Sequence, residues 1–139
     1  LDDFHGVGER LDAARDFEDV GGRMPYCLYG VYHALGMTAR FARGDAARAV
    51  GYFDMAHAVC RRFLEIAPEN FTEAAQLLWP SRLEAGMARQ EAGDAAGAGR
   101  DFAAIEAAAA DPGPDWGIAP PRYVLEALRD MARGGPGRA

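Results

Sequence analysis

The sequence predicts an all-α fold, with five to six helices paired as antiparallel hairpins in one compact bundle or short superhelix. Three observations carry that prediction. Apolar residues make up 50% of the 139-residue chain, and Ala, which supplies much of that share, is the best helix former because it loses no side-chain entropy. β-branched residues are scarce, with Thr38 and Thr72 the only threonines, and a sheet depends on such residues. Apolar positions recur at spacings of three and four along most of the chain, as in helices with one buried face.

The first segment, Leu1 to Val20, reads as a short helix. Leu11, Ala14 and Phe17 recur at helical spacing, and Gly21-Gly22 ends it. The second helix spans about Pro25 to Arg43. Proline suits a first helical turn, where its missing N–H would have no partner. Leu28, Val31 or Tyr32, Leu35, Ala39 and Ala42 form its apolar stripe. Gly30 and Gly36 each lower propensity by about 1 kcal/mol relative to Ala, which a helix tolerates best where another backbone packs close. Gly44-Asp45 then stops one helix and starts the next. Gly reaches the left-handed conformation that closes a helix, and Asp accepts from the free N–H groups of the turn that follows.

The third helix runs from Asp45 to about Ala67, with Ala46, Ala49, Val50, Phe53, Ala56, Cys60, Phe63 and Ala67 on one stripe. Pro68 ends it. Asn70 to Glu73 has the spacing of a capping box, so a fourth helix starts at Asn70 and continues to about Ala92. Pro80 lies inside it and is expected to kink it or split it after Trp79. Gly93-Asp94 repeats the stop-and-cap pair, and a fifth, Ala-rich helix spans Asp94 to Ala110 with Phe102 and Ile105 as its bulky anchors. Asp111 to Asp115 is a turn-rich linker, after which Trp116 and Ile118 tuck onto the core. A last helix, Pro120 to Ala132, presents Val124, Leu125, Leu128 and Met131. The expectation is one domain over 1–133, with hairpins at 23–112, a capping helix at 113–133 and a disordered tail at 134–139.

Two stretches of the chain align. Leu35-Gly36, Gly44-Asp45, Ala49, Phe53, Ala56 and Pro68 match Ala85-Gly86, Gly93-Asp94, Ala98, Phe102, Ile105 and Pro112. This pattern resembles the tetratricopeptide repeat family. That family sets a small residue at a close helix crossing, a Gly-Asp-like turn between two helices, small and aromatic residues in the second helix, and a Pro after it. The family period is about 34 residues, whereas the two Gly-Asp pairs here lie 49 apart. The third helix is about two turns longer than the family's, the first unit holds one extra residue between Gly36 and its turn, and Ile105 stands at a usually small position. The resemblance implies a protein-interaction or scaffold domain that lines a concave face with the first helix of each hairpin. Carried over, the partner-binding residues are His33, Met37, Arg40, Phe41, Leu83, Met87, Gln90 and Glu91. Core packing is the simpler reading for Met37, Phe41, Leu83 and Met87. Members that clamp a peptide carboxylate use Lys and Asn there, and this chain has no Lys and only Asn70.

The formal charge of −6 disfavours nucleic acid, since an acidic domain repels phosphates. No apolar run approaches the roughly 20 residues that span a bilayer, and no secretory leader is seen, so a cytoplasmic location is expected with the periplasm left open. No cofactor, catalytic residue or metal site is expected, and the partner is a protein, a peptide or a second copy of the chain. Asp2-Asp3, Glu18-Asp19 and Glu69 read as caps and solvated spots rather than acid–base pairs. Gly6-Val-Gly8 lacks the strand–helix setting of a phosphate loop.

The alternative from another class uses Cys27, His33, His57 and Cys60. Antiparallel pairing about Gly44 brings residues summing to about 89 to one level, placing His33 near His57 and Cys27 within about a turn of Cys60. Such a set could ligate a soft metal, or the thiols could bridge in an oxidising compartment. Two unconnected thiols in packed helices is the preferred reading. Arg40, Arg43, Arg48, Arg61, Arg62, Arg89 and Arg100 cluster on the hairpin helices and suggest an acidic partner, against a solvated salt-bridged face. An accessory subunit of a larger enzyme would look much the same. Tyr26, Tyr29, Tyr52, Leu77, Trp79, Trp116 and Tyr123 exceed what so thin a core requires, so part of this set is expected to form an exposed patch.

Overall fold

Gly44 and Gly93 set the course of the chain. Both hold the left-handed conformation, with φ of 63° and 92°, and each is followed by an aspartate that caps the next helix. Asp45 Oδ1 accepts from the Arg48 N–H at 3.1 Å, and Asp94 Oδ1 accepts from the Gly97 N–H at 2.9 Å. The structure is a computed structural model that describes residues 23–66 and 71–134. The segment Leu1 to Val20, the capping box at Asn70 and most of the 134–139 tail lie outside the described residues. Helix α1 (Arg23–Met37) continues as a wider π-helical turn over Thr38–Ala42; then come α2 (Ala46–Ile66), α3 (Phe71–Glu91), α4 (Ala95–Ala110) and α5 (Arg122–Ala132). Among the described residues there is no strand.

The π-helical turn accounts for the extra residue of the first unit. Eight positions separate Gly36 from Gly44, against seven from Gly86 to Gly93. A single wide turn absorbs one inserted residue without moving the helix on either side. Here Arg43 N–H donates to Thr38 O at 3.1 Å and Asp45 N–H reaches back to Ala39 O at 2.8 Å, whereas Asp94 N–H reaches Arg89 O at 2.9 Å.

Helix α2 packs against both α1 and α3, α3 against α2 and α4, and α5 touches α3 and α4. Being covered on two sides, α2 buries more than its single stripe. Tyr52, Val59 and Leu64 join Ala49, Phe53, Ala56, Cys60 and Phe63 in the interior. On α1, Ala42 is exposed because the wide turn rotates it off the stripe. The two aligned glycines sit under aromatic rings. A Cβ on Gly36 would lie 2.5 Å from Phe53 Cε1, and one on Gly86 would lie 2.6 Å from Phe102 Cε1.

Helix α3 runs unbroken through Pro80 rather than splitting after Trp79. Proline leaves one backbone acceptor without its usual donor, but burial of Leu78, Trp79, Ser81 and Leu83 on both sides of it holds the helix together. The Trp79 indole N–H donates to Ile118 O at 2.8 Å. That bond ties the α4–α5 connection, with half-buried Trp116, onto the core.

Candidate functional site

Two cross-helix pairs join α1 to α3. His33 Nε2 donates to Glu84 Oε1 at 3.2 Å, and Arg40 Nε donates to Glu91 at 2.9 and 3.0 Å. Both pairs link residues 51 apart, so the two helices run side by side in one direction and one register. His33 stacks on Tyr29, with centroids 5.8 Å apart, and the Arg40 guanidinium lies over the Phe41 ring at 4.5 Å. The Arg40 bond holds the Glu91 carboxyl below its usual range. Of the expected face, Phe41 is 63% exposed, Gln90 and Glu91 are exposed, and His33, Met37, Arg40 and Met87 are half-buried. Leu83 does not belong to it, because at 7% exposure it packs with Leu78, Trp79 and Ile105.

A chain of charges ties α2, α3 and α4. Asp101, buried at 5% exposure, accepts from Arg82 Nε at 2.6 Å and Arg89 Nη1 at 2.7 Å. Arg89 also donates to Asp54 Oδ1 at 2.9 Å. Burial alone would pull the Arg89 pKa down, but hydrogen bonds and charge from Asp54 and Asp101 raise it. Arg40 and Arg89 are therefore bound within the domain rather than turned to an acidic partner. Arg61 lies over Trp116 at 5.0 Å.

His33 and His57 diverge. His33 turns to Glu84, while His57 Nδ1 points across to α3, 3.1 Å from Leu78 O and 2.9 Å from Ser81 Oγ. Cys60, one turn on, donates its thiol to Ala74 O at 3.1 Å. The shared face of His57 and Cys60 thus donates to α3 backbone carbonyls. Cys27 is exposed, Cys60 is buried, and both are free. Burial pushes the Cys60 thiol up to about 12. Among the described residues no three His, Cys, Asp or Glu come together to hold a metal.

A cleft of about 700 Å³ opens between α3 and the segment leading into α5, lined by Leu77, Ile118, Pro121 and Tyr123 among others. Tyr123 is 59% exposed. From the surplus aromatic set, Tyr52 and Trp79 enter the core, Tyr29, Leu77 and Trp116 are half-buried, and the Tyr26 side chain lies outside the described ones. The cleft was signalled by Leu77 and Tyr123 in that set. Glu84 and Asp101 carried no comparable signal, since each partner lies 12 to 51 residues away in sequence. Among the described residues no helix is long and apolar enough to cross a membrane. Comparison of the chain with known protein families, curated proteins and solved structures finds no match.

Proposed function

We propose that the chain is a protein-interaction domain of tetratricopeptide-like type that grips an apolar-rich segment of a partner polypeptide. The observation that carries this reading is the open apolar cleft between α3 and the 118–123 segment, with Tyr123 projecting at its rim. Aromatic side chains that combine an apolar body with a polar tip are favoured anchors at interfaces. The parallel run of α1 and α3 supports the same reading, since it aligns the first helix of each pair on one side as in tetratricopeptide-like domains. The matched Gly-Asp corners and the Gly–Phe crossings add to it.

A photo-reactive amino acid at position 123, in the full chain inside its native cells, tests the proposal. The expected result is a discrete cross-linked species at 123 that is absent when the same group stands at exposed Arg129. A species of twice the chain mass identifies a second copy as the occupant. Equal labelling at both positions, or none at 123, removes the cleft as the binding site.

A further inference from the structure

His57 is the one histidine of the described chain that is closed into the interior, at 9% exposure. Its tautomer follows from its partners. Leu78 O can only accept, and it already receives the Ser81 hydroxyl at 2.8 Å, so His57 Nδ1 carries the proton and shares it between Leu78 O and Ser81 Oγ. The opposite nitrogen, Nε2, is buried with no hydrogen-bond partner. A neutral lone pair in that position carries a modest penalty, whereas a buried charged ring with an unpartnered N–H carries a far larger one. The charged groups acting on the ring are Arg61 from α2 itself, Arg82 from α3 and Asp101 from α4. Asp101 is held by Arg82 and Arg89, so the positive side prevails around the ring.

We propose that the α2–α3 seam is an acid-released latch, in which a proton added at His57 Nε2 creates a buried donor without an acceptor and the seam parts to hydrate it. The seam is suited to this. Three of its polar links across the helices, from Asp54 to Arg89, from His57 to Leu78 and Ser81 and from Cys60 to Ala74, lie on consecutive turns of α2, so losing the middle one loosens its neighbours. Parting it leaves the α1–α2 pair held to α3 mainly through the His33–Glu84 and Arg40–Glu91 pairs. Burial, followed by Arg82 and Arg61, pulls the His57 pKa down from 6.5 to about 4 in the closed seam, while an opened seam returns it to the solvent value. Relative to pH 6.5, opening is therefore favoured by about fivefold at pH 5.5 and about fortyfold at pH 4.5.

Amide hydrogen exchange followed by NMR on the full chain, corrected for intrinsic exchange, reads this directly. Amides of α2 and α3 around His57 and Leu78 are expected to lose protection by those factors between pH 6.5 and 4.5. In His57→Gln, which has no titrating ring, the pH dependence in that window is lost. The same acid response in His57→Gln as in the unaltered protein overturns the latch. The unaltered protein gives a second reading that needs no variant. The His57 ring resonances and the seam amides should move together, and a ring that titrates while those amides keep their protection overturns the proposal as well.

Discussion

Replacing Gly36 by Ala sets two effects of opposite sign against each other. In an open helix interior the substitution is worth about 1 kcal/mol in favour of Ala. At Gly36 the new Cβ would stand 2.5, 2.7 and 2.9 Å from three atoms of the Phe53 ring. Phe53 is 0% exposed, so the ring cannot swing away, and forcing a methyl into a packed core costs about 1–3 kcal/mol. The crowding outweighs the propensity gain, and Gly36→Ala should destabilise the protein by up to about 2 kcal/mol net of propensity. Gly86 meets Phe102 at 2.6 Å, but Phe102 is only half-buried, so Gly86→Ala should cost less. Gly51 and Gly99 lie within α2 and α4 with nothing within 4 Å of an added Cβ, and Ala there should stabilise by about 0.5–1 kcal/mol. Urea unfolding with a constant m-value supplies the measurement. Gly36→Ala as stabilising as Gly51→Ala would refute the close crossing of α1 and α2.

The remaining expectations concern buried charge, thiols and acid. Asp101→Asn removes the charge that Arg82 and Arg89 share but keeps one amide acceptor, and Arg89 retains Asp54, so it should cost about 1–3 kcal/mol in the same assay; Asp54→Asn, at a half-exposed carboxylate, should cost under about 1 kcal/mol. A thiol reagent at pH 8 should label Cys27 quickly and Cys60 only on unfolding, since Cys60 is buried with its pKa pushed up to about 12; rapid labelling of both in the native protein would contradict the buried seam. His57 has a folded pKa below its unfolded one, so the unfolded state takes up the proton more readily. Its contribution to stability is complete above pH 6.5 and is lost as pH falls toward 4, about 3 kcal/mol in all. Unfolding free energies measured across that range, with and without His57→Gln, give the difference.

Most of the fold was legible because its determinants are local. Gly44-Asp45 and Gly93-Asp94 each hold a left-handed residue and its cap in adjacent positions, and the extra residue before Gly44 became the wide turn at Thr38–Ala42. The 49-residue spacing follows from α2 and α3 being 21 residues each. Pro80 was not decided by sequence, since a missing N–H argues for a break and only tertiary burial of its neighbours shows why the helix persists. The candidate site was legible in part. The spacing of His33 and Arg40 put them on one face of α1, but nothing local named Glu84 and Glu91 as their partners. His57 and Cys60 were rightly placed on a shared face, yet a three-residue spacing cannot distinguish a metal pair from two donors to the carbonyls of a neighbouring helix. Leu83 entered the binding face only through the family carry-over, and its burial agrees with the simpler core-packing reading.

The account rests on two helix pairs that cross at Gly36 beneath Phe53 and at Gly86 beneath Phe102. The Hα chemical shifts of those two glycines test it most directly, because a ring within about 3–4 Å displaces them while Gly30, Gly51 and Gly99 have nothing within 4 Å of an added Cβ. The predicted result is a ring-current displacement at Gly36 and Gly86 alone, lost at Gly36 in Phe53→Leu and at Gly86 in Phe102→Leu. Five glycines with indistinguishable Hα shifts would contradict the arrangement.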